Sequence, residues 1–117
     1  MSAAHYDMEI EKGTTFKYTL SYTDSTNNPI NLTGYTAKMQ IREQYISSEI
    51  LAELSSANGK ITINGTQGKI LLNVPAHETD DYIWMSGVYD LVIISSGGEV
   101  TRLLEGGVSV SQNVTEP

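Results

Sequence analysis

The segment TTFKYTLSYT, residues 14–23, alternates polar side chains with apolar or aromatic ones. Its apolar or aromatic members occupy every second position from Phe16 to Tyr22. This period of two predicts a β-strand with one buried face. The segment YTAKMQIR, residues 35–42, repeats the pattern, with Ala37, Met39 and Ile41 on one face. We predict that both segments are central strands of an all-β domain.

Shorter segments with strand character follow along the chain, and turn-forming residues separate them. The segments are residues 50–54, 61–63, 70–74, 87–95 and 100–110. Asn64-Gly-Thr-Gln-Gly68 predicts a hairpin turn within residues 61–74. The adjacent Gly106 and Gly107 predict a bulge at which the last strand bends or changes partners.

One short helix is expected where the alternation stops, because Pro75 is followed by an acidic segment, residues 76–81. The whole pattern gives about eight or nine strands with frequent turns, which favours an antiparallel β-sandwich, with a closed barrel as the alternative. Tyr89 lies near the start of an apolar strand that follows the helical connection. The tyrosine of the tyrosine corner in immunoglobulin domains has a similar position. We therefore predict an immunoglobulin-like sandwich.

Composition limits the possible functions of the chain. The 117 residues, of which 39% are hydrophobic, suffice for one core, so we expect a single domain over residues 1–117. The absence of cysteine excludes disulfides and thiolate ligands. A net charge of −7 disfavours nucleic acid as a partner. The sequence has no secretory leader pattern and no apolar run of about 18 residues, so we expect no membrane association.

Catalytic chemistry is not indicated by the residue pattern. The two histidines, His5 and His77, lie far apart in the sequence, and no nucleophile motif accompanies either of them. The acids that follow His77 are Glu78, Asp80 and Asp81, and they could ligate a hard cation. They are more simply explained as acids at the positive end of a helix. We therefore expect no enzymatic activity, no metal and no cofactor.

The candidate interaction residues are the aromatic residues outside the alternating pattern, together with Ile46, which follows one of them in the sequence. Several tyrosines are in phase with the buried faces, which leaves a smaller group for a surface patch. That group consists of Tyr6, Tyr45, Ile46, Tyr82 and Trp84. The alternative is that these side chains cap one end of the core.

Three blocks of sequence carry a resemblance to a known class of proteins. They are PINLTGYTAKMQIR at residues 29–42, GVYDL at residues 87–91 and VTRLLEG at residues 100–106. Together they resemble small virion proteins of tailed bacteriophages and, more distantly, the N-terminal domain of phage baseplate upper proteins. The resemblance implies a structural or adaptor protein that is made in the host cytoplasm and built into the virion, in the tail or baseplate.

The same resemblance implies that the partners are copies of the chain, in a homo-oligomer, or other virion proteins. A second hypothesis is a carbohydrate-binding or host-adhesion module with an aromatic platform. An exposed Trp84 on a concave surface would favour this second hypothesis, and a buried Trp84 would weaken it.

Overall fold

Nine β-strands and one short helix follow one another along residues 3–115, the range that the computed structural model describes. Residues 1, 2, 116 and 117 of the predicted domain lie outside this range. The helix is α1 (Ala76–Thr79). The strands are β1 (Ala4–His5), β2 (Met8–Glu11), β3 (Phe16–Ser21), β4 (Thr36–Arg42), β5 (Ala52–Ser55), β6 (Ile61–Asn64), β7 (Lys69–Val74), β8 (Ser86–Ile94) and β9 (Val100–Ser111).

The strands form two sheets. The larger sheet has the order β1-β9-β8-β4-β5, with β2 also paired to β9, and the smaller sheet has the order β3-β7-β6. The order and connectivity of the strands match those of an immunoglobulin variable-type sandwich. Strands β9-β8-β4-β5 correspond to its G-F-C-C′ strands, and β3-β7-β6 correspond to its B-E-D strands. The predicted all-β sandwich of about nine strands with one short helix is confirmed.

Two details of the strand arrangement differ from the prediction. Strand β3 is an edge strand of the smaller sheet, whereas β4 lies centrally between β8 and β5 as expected. Strands β1 and β2 pair with β9 in parallel, while the other pairings of named strands are antiparallel. A parallel pairing is possible here because β2 and β9 are far apart in sequence, so that no short hairpin turn fixes their relative direction.

The predicted bulge at Gly106 and Gly107 is wrong in position. The register between β8 and β9 shifts at Leu103, because Leu104 pairs with Leu91 and Arg102 pairs with Val92. This extra residue allows Leu103 and Leu104, which are neighbours in sequence, both to be buried. Sequence alternation cannot show such a shift, because the partner strand determines where it occurs.

The glycine pair has a different role. It separates the part of β9 that pairs with β1 from the part that pairs with β2, so the predicted change of partner does occur there. A Cβ atom at Gly106 would clash with the carbonyl oxygen of Tyr6. A glycine is needed at this position because the backbone of the N-terminal segment approaches so closely.

Tyr89 does not form a tyrosine corner. Its phenol oxygen donates a hydrogen bond to the carbonyl oxygen of Tyr6 (2.6 Å), which is 83 residues away, and not to the backbone shortly before β8. The side chain is buried, with 2% of its surface exposed. Tyr89 therefore ties the N-terminal segment to the larger sheet.

The core lies between the two sheets and follows the predicted alternation. In β4, Ala37, Met39 and Ile41 are buried, and in β7 every second residue from Ile70 to Val74 is buried. The predicted hairpin of β6 and β7 is confirmed, with a 3-10 turn at Gly65–Gln67. Within residues 3–115, no helix has the length and apolar character that crossing a bilayer requires.

Candidate functional site

Two of the predicted aromatic segments lie at the same end of the sandwich. Arg42, the last residue of β4, pairs with Val88 near the start of β8. The loop of residues 43–51 therefore leaves the larger sheet beside the point at which residues 82–85 enter it. The end of β9 is also at this position, since Ser109 pairs with Ser86. One surface is thus built from three segments that are distant in sequence.

The segment Tyr82-Ile-Trp-Met85 alternates in burial as a strand does. Tyr82 and Trp84 turn inward, where they are half-buried and packed against the core, with ring centroids 4.9 Å apart. Ile83 and Met85 point outward, and 94% of Ile83 and 56% of Met85 are exposed. The carbonyl oxygen of Met85 accepts a hydrogen bond from the amide of Val110 (2.8 Å), which anchors the segment to β9.

The inward position of Trp84 matches the alternative prediction, in which the aromatic side chains cap the core. Its indole nitrogen is buried and has no hydrogen-bond acceptor among residues 3–115. Burial also raises the pKa of Tyr82, with a further contribution from the negative charge of Glu78. Both rings therefore act mainly as packing groups and not as an open platform.

The exposed apolar side chains at this end form a group that we call the apolar end. Its members come from the loop after β4, from the segment before β8 and from the residues after β9: Ile46, Ile50, Ile83, Met85 and Val114. Ile46 is 92% exposed and Val114 is fully exposed. Several large exposed apolar side chains at one end of a domain make that end a candidate protein interaction surface.

Hydrogen bonds from a buried threonine hold this end together. Thr79, the last residue of α1, accepts a hydrogen bond from the amide of Gly13 (3.1 Å) and donates one to the carbonyl oxygen of Thr14 (2.7 Å). These contacts fix α1 to the turn between β2 and β3. An ion pair of Lys60 with Glu78 (3.1 Å) attaches the other side of the helix to the start of β6. The segment of residues 82–85, which includes Ile83, therefore follows a helix whose position is fixed by these contacts.

Acidic side chains accompany the apolar end. Glu43 and Glu49 lie in the loop after β4, and Asp81 follows α1; all three are exposed. None of the three forms an ion pair within residues 3–115. With the net charge of −7 of the whole chain, these three carboxylates add unpaired negative charge to this end of the sandwich.

The five predicted interaction residues do not form one patch. Tyr45 and Ile46 lie together in the loop after β4, with 69% and 92% of their surfaces exposed. Tyr6 lies instead on the side of the sandwich, where its ring stacks on that of Tyr18 at 5.0 Å. Tyr82 and Trp84 are at the correct end but face the core.

Four exposed apolar residues at this end are not among the five predicted interaction residues: Ile50, Ile83, Met85 and Val114. For two of them a signal was available. Because Trp84 is the largest apolar side chain of residues 82–85, it sets the buried phase, and alternation then places Ile83 and Met85 outside. No comparable pattern marks Ile50 or Val114.

The acidic turn after His77 is not arranged as a metal site. Among residues 3–115, no group of three or more His, Asp or Glu side chains is placed to bind a metal ion. Glu78 is instead paired with Lys60.

No protein-family model matches this sequence, and no curated protein matches it.

Proposed function

We propose that this chain is a non-enzymatic structural or adaptor component of a tailed-phage particle, in the tail or baseplate, and that it acts through protein contacts. The observation that carries the proposal is the apolar end, where five large apolar side chains are exposed on segments that lie at the same end of a small domain. Protein interfaces gain most of their affinity from a few side chains that become fully buried at the centre of the contact. The resemblance to virion proteins supplies the biological setting.

The charge at the apolar end favours a different protein as the partner. Two copies that met end to end would bring Glu43, Glu49 and Asp81 of each chain close together, and like charges at an interface oppose association. A partner whose apolar surface is bordered by lysine or arginine would complement both properties. We therefore propose another virion protein with such a surface as the occupant of the apolar end.

Carbohydrate binding at an aromatic platform around Trp84 receives less support. Stacking on a sugar requires an accessible ring face, but Trp84 is half-buried and its ring lies against Tyr82. The residues exposed beside it are Ile83 and Met85, which are aliphatic. These side chains suit burial against another protein better than they suit the hydroxyl groups of a sugar.

Site-specific photo-cross-linking in purified particles tests the proposal. A photoreactive phenylalanine analogue is placed at Ile83, and the particles of the virus that carries the gene are isolated and irradiated. We expect the chain to be present in the particles and position 83 to cross-link to one other virion protein. Leu71 is the matched control position, because it is apolar and 39% exposed but lies in the smaller sheet.

Two results would contradict the proposal. The first is the absence of the chain from purified particles, which would exclude a virion role. The second is equal cross-linking from Ile83 and Leu71, which would show that the apolar end is not the contact surface. Changing Ile46 and Ile83 together to serine should reduce incorporation into particles without lowering the thermal stability of the free domain, because both side chains are exposed.

A further inference from the structure

A cavity of about 220 Å³ lies on the outer face of the larger sheet, beside the apolar end but separate from it. Its walls come from the end of β4, the start of β8 and the loop after β4. The residues that line it are Gln40, Arg42, Tyr45, Val88, Tyr89 and Asp90. The proposed protein contact at Ile46 and Ile83 makes no use of this cavity.

Arg42 is held in place without a carboxylate partner. Its guanidinium group donates to the carbonyl oxygen of Ser47 (2.7 Å) and to the side-chain oxygen of Gln40 (2.8 Å). Gln40 is in turn fixed by donating to Glu53 (2.7 Å). Within residues 3–115, Arg42 takes part in no ion pair, although the chain is strongly acidic. A guanidinium has five N–H groups, so these two hydrogen bonds do not use all the donors of Arg42.

The same cavity also offers an acceptor and an aromatic ring. One carboxylate oxygen of Asp90 is bound by Arg102 (3.2 Å), and the carboxylate has further lone pairs for a ligand. Tyr45 lines the cavity with 69% of its surface exposed, so its ring is accessible to a ligand. A guanidinium held by hydrogen bonds, a carboxylate and an accessible ring therefore line one cavity.

We propose that this cavity binds a neutral saccharide, with one pyranose ring against Tyr45 and its hydroxyl groups bonded to Arg42 and Asp90. A hydroxyl group both donates and accepts hydrogen bonds, so it matches a wall with both kinds of partner. An anionic ligand fits less well, because the Asp90 carboxylate and the net charge of −7 would repel it. Because hydrogen bonds already hold the side chains of Arg42 and Gln40, binding a ligand costs little side-chain entropy at these two residues.

Nuclear magnetic resonance titration of the full chain with single sugars tests the inference. The probes are glucose, galactose, mannose, N-acetylglucosamine and rhamnose, with glucuronate as the anionic comparison and glycerol as the additive control. We expect at least one neutral pyranose to give saturable shifts of the backbone amides of Gln40, Arg42, Tyr45 and Asp90. Tyr45→Ala should weaken this binding by roughly tenfold, and Tyr45→Phe should preserve it because the ring remains.

The outcomes separate this inference from the proposed protein contact. Ile46→Ser is the matched control, since it changes an exposed neighbour of Tyr45 outside the cavity and should leave the titration unchanged. The inference is refuted if no neutral sugar gives saturable shifts, if glucuronate alone binds, or if glycerol gives the same shifts. It is also refuted if the shifts centre on Trp84. None of these results affects the cross-linking expected from Ile83.

Discussion

Replacing Thr79 with valine isolates the hydrogen bonds that hold the end of the sandwich together. Thr79 is completely buried, and valine has nearly the same shape, so packing is conserved while the hydroxyl group is lost. The amide of Gly13 then has no acceptor in a buried position, and the carbonyl of Thr14 loses a donor at 2.7 Å. The hydrogen bond to the carbonyl of Thr14 is only partly buried, whereas the hydrogen bond from the amide of Gly13 is buried, so the amide pays the larger penalty.

The expected cost follows from these two groups. A buried donor without a partner costs about 1–3 kcal/mol, and the lost hydrogen bond to Thr14 adds about 1 kcal/mol. We therefore expect Thr79→Val to lower the free energy of unfolding by about 2–4 kcal/mol. For a domain of this size, that change lowers Tm by roughly 8–16 °C. Urea unfolding monitored by circular dichroism gives the free energy, provided that the m-value is unchanged.

Thr79→Ser is the informative control for this prediction. Serine keeps the hydroxyl group and removes one buried methyl group, which costs about 1 kcal/mol. Valine should therefore be more destabilising than serine. The reverse order, or a valine variant as stable as the original protein, would show that packing and not hydrogen bonding fixes α1 at this position, and our reasoning would be refuted.

Two further predictions concern the attachment of the N-terminal segment. Burial, with smaller contributions from charges on Tyr18 and Asp7, raises the pKa of Tyr89 above its ordinary value. As pH rises, the unfolded chain therefore loses the phenol proton before the folded chain does. The free energy of unfolding should fall as pH rises above about 10, by up to about 1.4 kcal/mol per pH unit. Urea unfolding at alkaline pH measures this fall, and an equally steep fall in a Tyr89→Phe variant would contradict the prediction. Gly106→Ala should cost about 1–3 kcal/mol in urea unfolding, because its Cβ would displace the carbonyl of Tyr6. Gly107→Ala is the control and should cost less, since its Cβ would meet Asp7 at an ordinary 3.5 Å.

The candidate surfaces were only partly predictable. Tyr45 and Ile46 fall in an irregular stretch between strands, and their exposure was correctly expected. Tyr82 and Trp84 were predicted as interaction residues because they are aromatic. Aromatic side chains pack in the core, however, wherever the backbone directs them inward. The cavity beside Arg42 had no sequence signal at all, since Arg42 and Asp90 come close only because β4 pairs with β8.

The sequence by itself determined the secondary structure and the class of fold. Alternation in residues 14–23 and 35–42 depends only on which side chains prefer water, so it is visible without a structure. Local sequence also predicted the hairpin of β6 and β7 and the helix after Pro75, because turn formation and helix initiation depend on a few neighbouring residues. Such features can be predicted one segment at a time.

Only the tertiary structure decided which segments meet. The parallel attachment of β2 to β9, the extra residue at Leu103 and the bond from Tyr89 to Tyr6 each join parts of the chain that are distant in sequence. Their geometry depends on how the two sheets fill one core together, and no local pattern encodes it. The apolar end has the same origin, because three separate segments form it only after the strands have paired.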